Sequence, residues 1–271
     1  MDSKNRHHAR EYWKISLLPY LFFLLIPILA LFTRNDWRAF PANLQDPVIH
    51  RAILLSLRTS LVAVLVTLVI GMPVAYYLSH RRYSYHRLID ILVDLPTVLP
   101  PAVAGVALLM AFGRKGLVGI WLTKIGIQIP FTETAVVMAQ VFIAAPLFIK
   151  AAAIGFADVD CELKKAAALD GANRWQVFRH IILPISLNAI FSGAALTWAR
   201  ALGEFGATLI FAGNFPGRTQ TMPLAIYLGF EIDLTKALTL SILLIIVSTT
   251  TLAIVKGIFH WQVDNHQEEW D

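Results

Sequence analysis

Apolar stretches of bilayer length set the terms on which this chain can fold. A helix needs about 20 consecutive, mostly apolar residues to cross a bilayer. Stretches of that kind centre on residues 15–33, 52–79, 90–112, 133–157, 186–213 and 237–259. Backbone in lipid must satisfy its polar groups internally, which leaves helices or closed barrels. The sequence shows none of a barrel's alternating ten-residue strands. The expectation is therefore an all-α polytopic membrane protein with six transmembrane helices. Composition agrees: 57% of residues are hydrophobic and 15% charged, where soluble domains carry about 25% charge.

The first fourteen residues, MDSKNRHHAREYWK, are basic and precede an apolar run from Ile15 to Phe32. The following LFTRNDW lacks a small-x-small cleavage site, so an uncleaved first span is expected. With the N-terminus inside, the inside segments hold twelve Lys and Arg and the outside loops eight. That bias leans toward cytoplasmic N- and C-termini, with the basic N-terminus and SHRRYSYHR as its strongest votes. Residues 1–48 are read as a cytoplasmic N-terminus, first helix and outer loop, and 261–271 as a cytoplasmic tail.

KKAAALDGANRWQVFRHIILP, Lys164 to Pro184, is the longest inside loop and interrupts the oily pattern. Asp158 or Asp160 can cap a helix through the alanines, because short carboxylates accept bonds from free first-turn amides. Gly171 suits the left-handed residue that ends such a helix. Asn173 with Gln176 three residues on has the form of a capping box. The second helix would place Trp175, Phe178 and Ile182 on one side. The result is a compact knob on the membrane surface. An amphipathic loop lying on the headgroups fits the same residues, with Lys164, Lys165, Arg174 and Arg179 toward the lipid.

Several function classes drop out. No Lys/Arg stripe with interleaved aromatics suggests nucleic acid. The single Cys161 forms no disulfide framework and has no metal-site spacing. The sequence holds no GxxxxGK[ST] phosphate loop, no His/Cys/carboxylate metal cluster and no nucleophile elbow. No catalytic residue, metal or cofactor is expected on this chain, and any ATP would be used by a partner.

The order alanine pair, glycine bend and Ile-x-Leu-Pro ending resembles the EAA signature of binding-protein-dependent ABC importer permeases. The matching residues are Ala166, Ala167, Gly171, Ile181, Leu183 and Pro184. RALGEFGATLIFAGNFPGRTQTMPLAIY (200–227), DLPTVLPPAVAGVALLMAFGRKGLVG (94–119) and FTETAVVMAQVFIAAPLFIKAAAIGF are similar to the molybdate-type branch, which sulfate permeases share. The resemblance covers roughly residues 50–260 and implies a type I ABC importer permease domain over 49–260. It implies a homodimer in the inner membrane, ATPase subunits docked inside and an extracytoplasmic oxyanion-binding protein outside. The coupling helix that enters a groove of the ATPase would be carried by Glu162, Lys165, Ala166, Ala167, Gly171 and Trp175. Lys165 stands where the family has a glutamate, and Glu162 is the nearest acid.

The same resemblance points to pathway or gate candidates at Pro100, Pro101, Arg200, Gly203, Glu204, Gly206 and Thr208. Arg200 and Glu204, four apart on one predicted helix, share a face and can pair. Ionisable groups inside a membrane mark functional sites, but a lone carboxylate would repel an oxyanion. Glu204 is therefore read as mainly structural, with direct substrate contact as the alternative. Gly203, Gly206 and Ala207 permit close approach of another helix. Pro96, Pro100 and Pro101 fit either a kinked third span, as in transporters with broken helices, or a helix that starts after Pro101. Arg58 and Lys150 are expected to snorkel to the interfaces. Molybdate is the expected cargo, with tungstate or sulfate as alternatives, and an ion-driven secondary transporter is the alternative of a different class.

Overall fold

The computed structural model describes residues 3–80 and 85–267, with side chains described over 18–80 and 85–253. Arg81 and Arg82 and the end of the 261–271 tail lie outside the described residues, as do the side chains of the basic N-terminus. The chain runs through α1 (Ser3–Arg34), α2 (Phe40–Leu44), α3 (Pro47–Ser79), α4 (His86–Val98) and α5 (Pro101–Phe112). It continues through α6 (Gly119–Lys124), α7 (Glu133–Asp158), α8 (Cys161–Leu169) and α9 (Arg174–Val177). One wider π-type turn (Phe178–Ile182) leads into α10 (Leu183–Ile185) and α11 (Leu187–Leu202). Last come α12 (Gly206–Ala212), α13 (Met222–Ile232) and α14 (Leu234–Gln267).

Among the described residues, α3, α7 and the first twenty residues of α14 are each long and apolar enough to cross a membrane. Two bent pairs raise that number to five if each is one span: α4 with α5, and Arg174–Ile185 with α11. The apolar stretch Leu18–Arg34 of α1 is shorter.

The third expected span, 90–112, is not one continuous helix. α4 and α5 meet at 114°. Proline disfavours helical backbone in the residue before it. Leu99 precedes Pro100, and Pro100 precedes Pro101, so both take extended ψ near 133° and the helix breaks twice over. The fifth expected span, 186–213, also divides. Its first helix, α11, meets the preceding Arg174–Ile185 segment at 69° across Ser186, whose hydroxyl donates to the Gly155 carbonyl at 2.9 Å. It then stops at Leu202 before the short α12 begins. The wider turn lies directly ahead of Pro184, whose ring in a regular helix clashes with the carbonyl four residues back. α13 falls in what the hydropathy pattern treats as an outer loop.

α7 is the central helix, with half of its apolar window buried inside the protein. It packs against α3 through small side chains: Ala63, Ala144 and Ala201 form one buried cluster across α3, α7 and α11. A side chain at Gly71 would lie 3.0 Å from the Phe148 ring, and one at Gly193 would lie 2.9 Å from Ala151. Lipid tails are as apolar as leucine, so helix association there depends on such close contact. At the other end of α3, Asp46 caps the helix by accepting from the Val48 amide at 2.8 Å, with Pro47 at the first position. The Asp46 carboxyl is held below its ordinary range, first by its hydrogen bond to Lys236 and then by the Val48 amide.

Candidate functional site

Two turns carry nearly all of the residues singled out from the sequence. The first is the corner between α8 and α9. Asp160, not Asp158, caps α8, accepting from the Glu162 amide at 2.8 Å. Lys164 folds back, and its Nζ donates to the Phe156 carbonyl at 3.3 Å near the C-terminus of α7. α8 ends at Gly171, which has φ +87° and open space where a side chain would stand. The Ala172 amide donates to the Ala167 carbonyl at 3.0 Å and closes the end of the helix. Asn173 and Gln176 then form a reciprocal capping box at 2.9 and 2.8 Å.

Glu162, Lys165, Ala166, Gly171 and Trp175 are exposed on this corner, and Ala167 is half-buried. Neither Glu162 nor Lys165 forms an ion pair among the described residues. Trp175 is 65% exposed although its ring lies 5.7 Å from Phe178, which packs with Phe156 and Tyr76. Ile182 is fully buried, so the expected aromatic side of the second helix is anchored at one end and bare at the other. Sequence reasoning missed Leu163 and Leu169, which are 50% and 89% exposed. Their signal is an apolar residue on the outer face of an otherwise polar helix. With Trp175 they are three exposed large apolar side chains on an otherwise polar knob.

The second turn joins α11 to α12. Arg200 and Glu204 do pair, Nη1 to Oε2 at 2.8 Å, although α11 has ended between them at Gly203. The Ala207 amide donates to the other oxygen of Glu204 at 2.9 Å. The carboxylate is 1% exposed and the Arg200 side chain 36%. Glu204 thus pairs, as a buried anion, with the partly exposed Arg200 and caps the start of α12, where an acidic group also complements the helix dipole. A side chain at Gly206 would stand 2.9 Å from Pro101, and one at Gly105 would stand 2.8 Å from Ile210. Gly206 and Ala207 therefore admit α5 of the same chain. Gly203 is different: it is exposed, and its nearest neighbour is the Ala199 carbonyl of its own helix at 3.6 Å. Thr208 is fully buried, with a hydroxyl that has no partner among the described residues. Pro100 starts the α5 side of this contact, its carbonyl accepting from the Ala104 amide at 3.1 Å.

Lys150 does not simply snorkel. Its Nζ lies 2.5 Å from Asp90 and 2.8 Å from Asp94, tying α7 to α4. Asp90 and Asp94 are four apart on α4 and so share a face. Arg58 is the more solvated case, 69% exposed and 3.6 Å from Glu133. In the 214–221 loop, Arg218 is exposed while Thr219 and Thr221 turn inward and are buried. Among the described residues no group of His, Cys, Asp and Glu is arranged to hold a metal ion.

Residues 67–262 match the family described as binding-protein-dependent transport system inner membrane component. The chain is 38% identical over 238 residues to the probable transport system permease protein NifC of Clostridium pasteurianum, covering 88% of this chain and 83% of that protein. It is 42% identical over 185 residues to the molybdenum transport system permease protein ModB of Escherichia coli (strain K12), covering 68% and 80%. Identity is 34% over 234 residues to the probable sulfate transport system permease protein cysT of Chlorokybus atmophyticus, covering 84% and 82%. In fold it is similar to a bacterial alginate ABC transporter solved with a pentasaccharide-bound periplasmic protein. That match has a TM-score of 0.73 at 18% identity and covers 94% of each chain.

Proposed function

The chain belongs to the family of binding-protein-dependent transport system inner membrane components, and on that premise we propose that it is the membrane permease of a molybdate importer. The observation that carries the cargo is the identity to the molybdenum permease ModB, 42% against 34% for the sulfate relative. Two copies form the pathway, a binding protein delivers the anion outside, and a separate ATPase supplies the energy inside. Six crossings are inferred, with α1, α3, the bent pair α4–α5, α7, the bent run from Arg174 to Leu202, and α14. Both termini are assigned to the cytoplasm.

The exposed α8–α9 corner supports the coupling role. A rigid knob with its backbone bonds closed and three bare apolar side chains suits docking into a groove. Closure of the ATPase pair would move two such knobs together, and each knob is continuous through α10 with the bent span α11. At the far end of α11 stands the Glu204 turn, packed on the broken span α5. Motion of the knob can therefore reach Pro100, Pro101, Gly206 and Thr208 through two helices and one ion pair. Glu204 acts there by holding the turn rather than by binding the anion, since both its oxygens are engaged.

The test is ATP-dependent uptake by the complex reconstituted in proteoliposomes, with labelled molybdate and competing tungstate or sulfate. Uptake that needs ATP, and that tungstate suppresses far better than sulfate, is expected. Equal suppression by sulfate would reassign the cargo. Uptake without ATP would replace the importer with a secondary transporter.

A further inference from the structure

An apolar groove with one basic end lies between α3 and the α9 segment. Its walls include Leu68, Met72, Pro73 and Tyr76 from α3, and Trp175 and Phe178 from the other side. His80, at the C-terminal end of α3, and Arg174 also line it. The space is about 990 Å³, at the upper end of the range of about 300–1,000 Å³ typical of small-molecule sites. From Leu68 to His80 the wall runs twelve helical steps, about 18 Å at about 1.5 Å per residue. That is close to half of the roughly 30 Å hydrocarbon core of a bilayer.

We propose that this groove binds one anionic glycerophospholipid of the inner leaflet, its acyl chain along α3 and its phosphate at Arg174 and His80. The proposal rests on the assignment of the α8–α9 corner to the cytoplasmic side. Three features select this occupant. The apolar wall belongs to a membrane-spanning helix, so its deep part at Leu68 and Val69 is beyond the reach of a soluble ATPase. Val69 is 74% exposed, so the groove is open on the side that meets lipid. The polar end is basic and available: Arg174 forms no ion pair among the described residues. His80 is the other polar group of the lining, with its Nδ1 2.9 Å from the Tyr76 carbonyl and 3.1 Å from the Ser79 hydroxyl. Tyr76 and Trp175 stand between the two zones, at the level where amphipathic rings collect at membrane interfaces. Basic pockets beside membrane helices on the cytoplasmic side are headgroup sites for this reason.

Such a lipid would touch the coupling segment directly, because Trp175 belongs to both surfaces and Arg174 directly precedes it. The lipid is thus placed to hold the α9 segment against α3 while α8 meets the motor. Leaflet composition becomes an input to coupling.

The experiment is native mass spectrometry of the detergent-solubilised permease, alone and assembled with its ATPase, titrated with dioleoylphosphatidylglycerol and dioleoylphosphatidylcholine. One phosphatidylglycerol per permease is expected to bind more tightly than phosphatidylcholine in both preparations. Arg174→Gln should reduce that preference about fivefold, the increment of one basic side chain beside an anionic leaflet. Val69→Trp, which fills the deep end, should weaken both lipids. Equal binding of the two lipids, or an unchanged preference in Arg174→Gln, overturns the proposal. So does lipid bound by the isolated permease but excluded from the assembly, since the groove would then be covered by another subunit or a second copy. The lipid preference and its change in Arg174→Gln are also read on the permease alone, so failure to assemble with an ATPase would count against the importer role and leave that readout intact.

Discussion

Gly171 and Gly206 both sit at the boundary of two helices, and they are needed for opposite reasons. Gly171 has φ +87° and nothing within 4 Å of the place a side chain would take. Its requirement is purely a backbone one: only glycine visits that left-handed region without strain. Gly206 has ordinary backbone but stands against Pro101 at 2.9 Å, so its requirement is space. The turn at Gly171 is exposed and closed by the Ala172-to-Ala167 backbone bond and the Asn173 cap. The turn at Gly206 is built around a buried carboxylate and closed by an ion pair, Arg200 to Glu204. The first has the build of a part that meets another protein. The second has the build of a part that keeps two helices of one chain in register.

The largest effect should come from the buried turn. Glu204→Leu leaves Arg200 uncompensated and the Ala207 amide without an acceptor. Removing one partner of a buried pair costs about 3–5 kcal/mol, and the partly exposed Arg200 puts this case near the lower end. The thermal midpoint of the purified protein in detergent should fall by several degrees. Gly206→Val comes next, because overpacking against Pro101 costs about 1–3 kcal/mol. Its unfolding should be measured beside Gly203→Val. Gly203 is exposed with no neighbour closer than 3.6 Å, so its variant should be the milder of the two. Equal losses would mean that close approach is not what sets Gly206 apart.

The exposed turn should respond less and differently. Gly171→Ala is expected to cost about 1–2 kcal/mol through backbone strain alone. Gly171→Asn should cost less, because its short amide tolerates the left-handed region. At Gly206 that order reverses, since asparagine is larger than alanine. The two pairs of melting curves therefore separate a conformational glycine from a packing one. Asn173→Ala is the smallest of the series, about 1 kcal/mol for a lost helix cap.

What could be read from the sequence follows the same division. The turn chemistry of the α8–α9 corner was legible because its signals are local, although the cap of α8 stayed open between Asp158 and Asp160 until the structure selected Asp160. The Asp160 cap, the glycine and the Asn173–Gln176 box each act within three residues. Even there, Leu169 escaped, since nothing local says whether a leucine faces water. The broken spans were legible only as proline positions. Pro100 and Pro101 announced a disturbance, but the 114° turn depends on where α5 finds Gly206, a hundred residues on. The Lys150 contact with Asp90 and Asp94 bridges 60 and 56 residues, so only the acids' spacing of four hinted at it. Glu204 shows the intermediate case. Its pairing with Arg200 follows from spacing, whereas its capping of α12 requires knowing that α11 has already ended.

The coupling role of the exposed turn is tested most directly by Gly171→Asp in the reconstituted complex. The variant should insert, bind the binding protein and retain a thermal midpoint near that of Gly171→Ala, while ATP-dependent molybdate uptake falls to background. Uptake at the wild-type rate with the ATPase bound would contradict the assignment of the α8–α9 corner as the contact through which the motor moves the membrane helices.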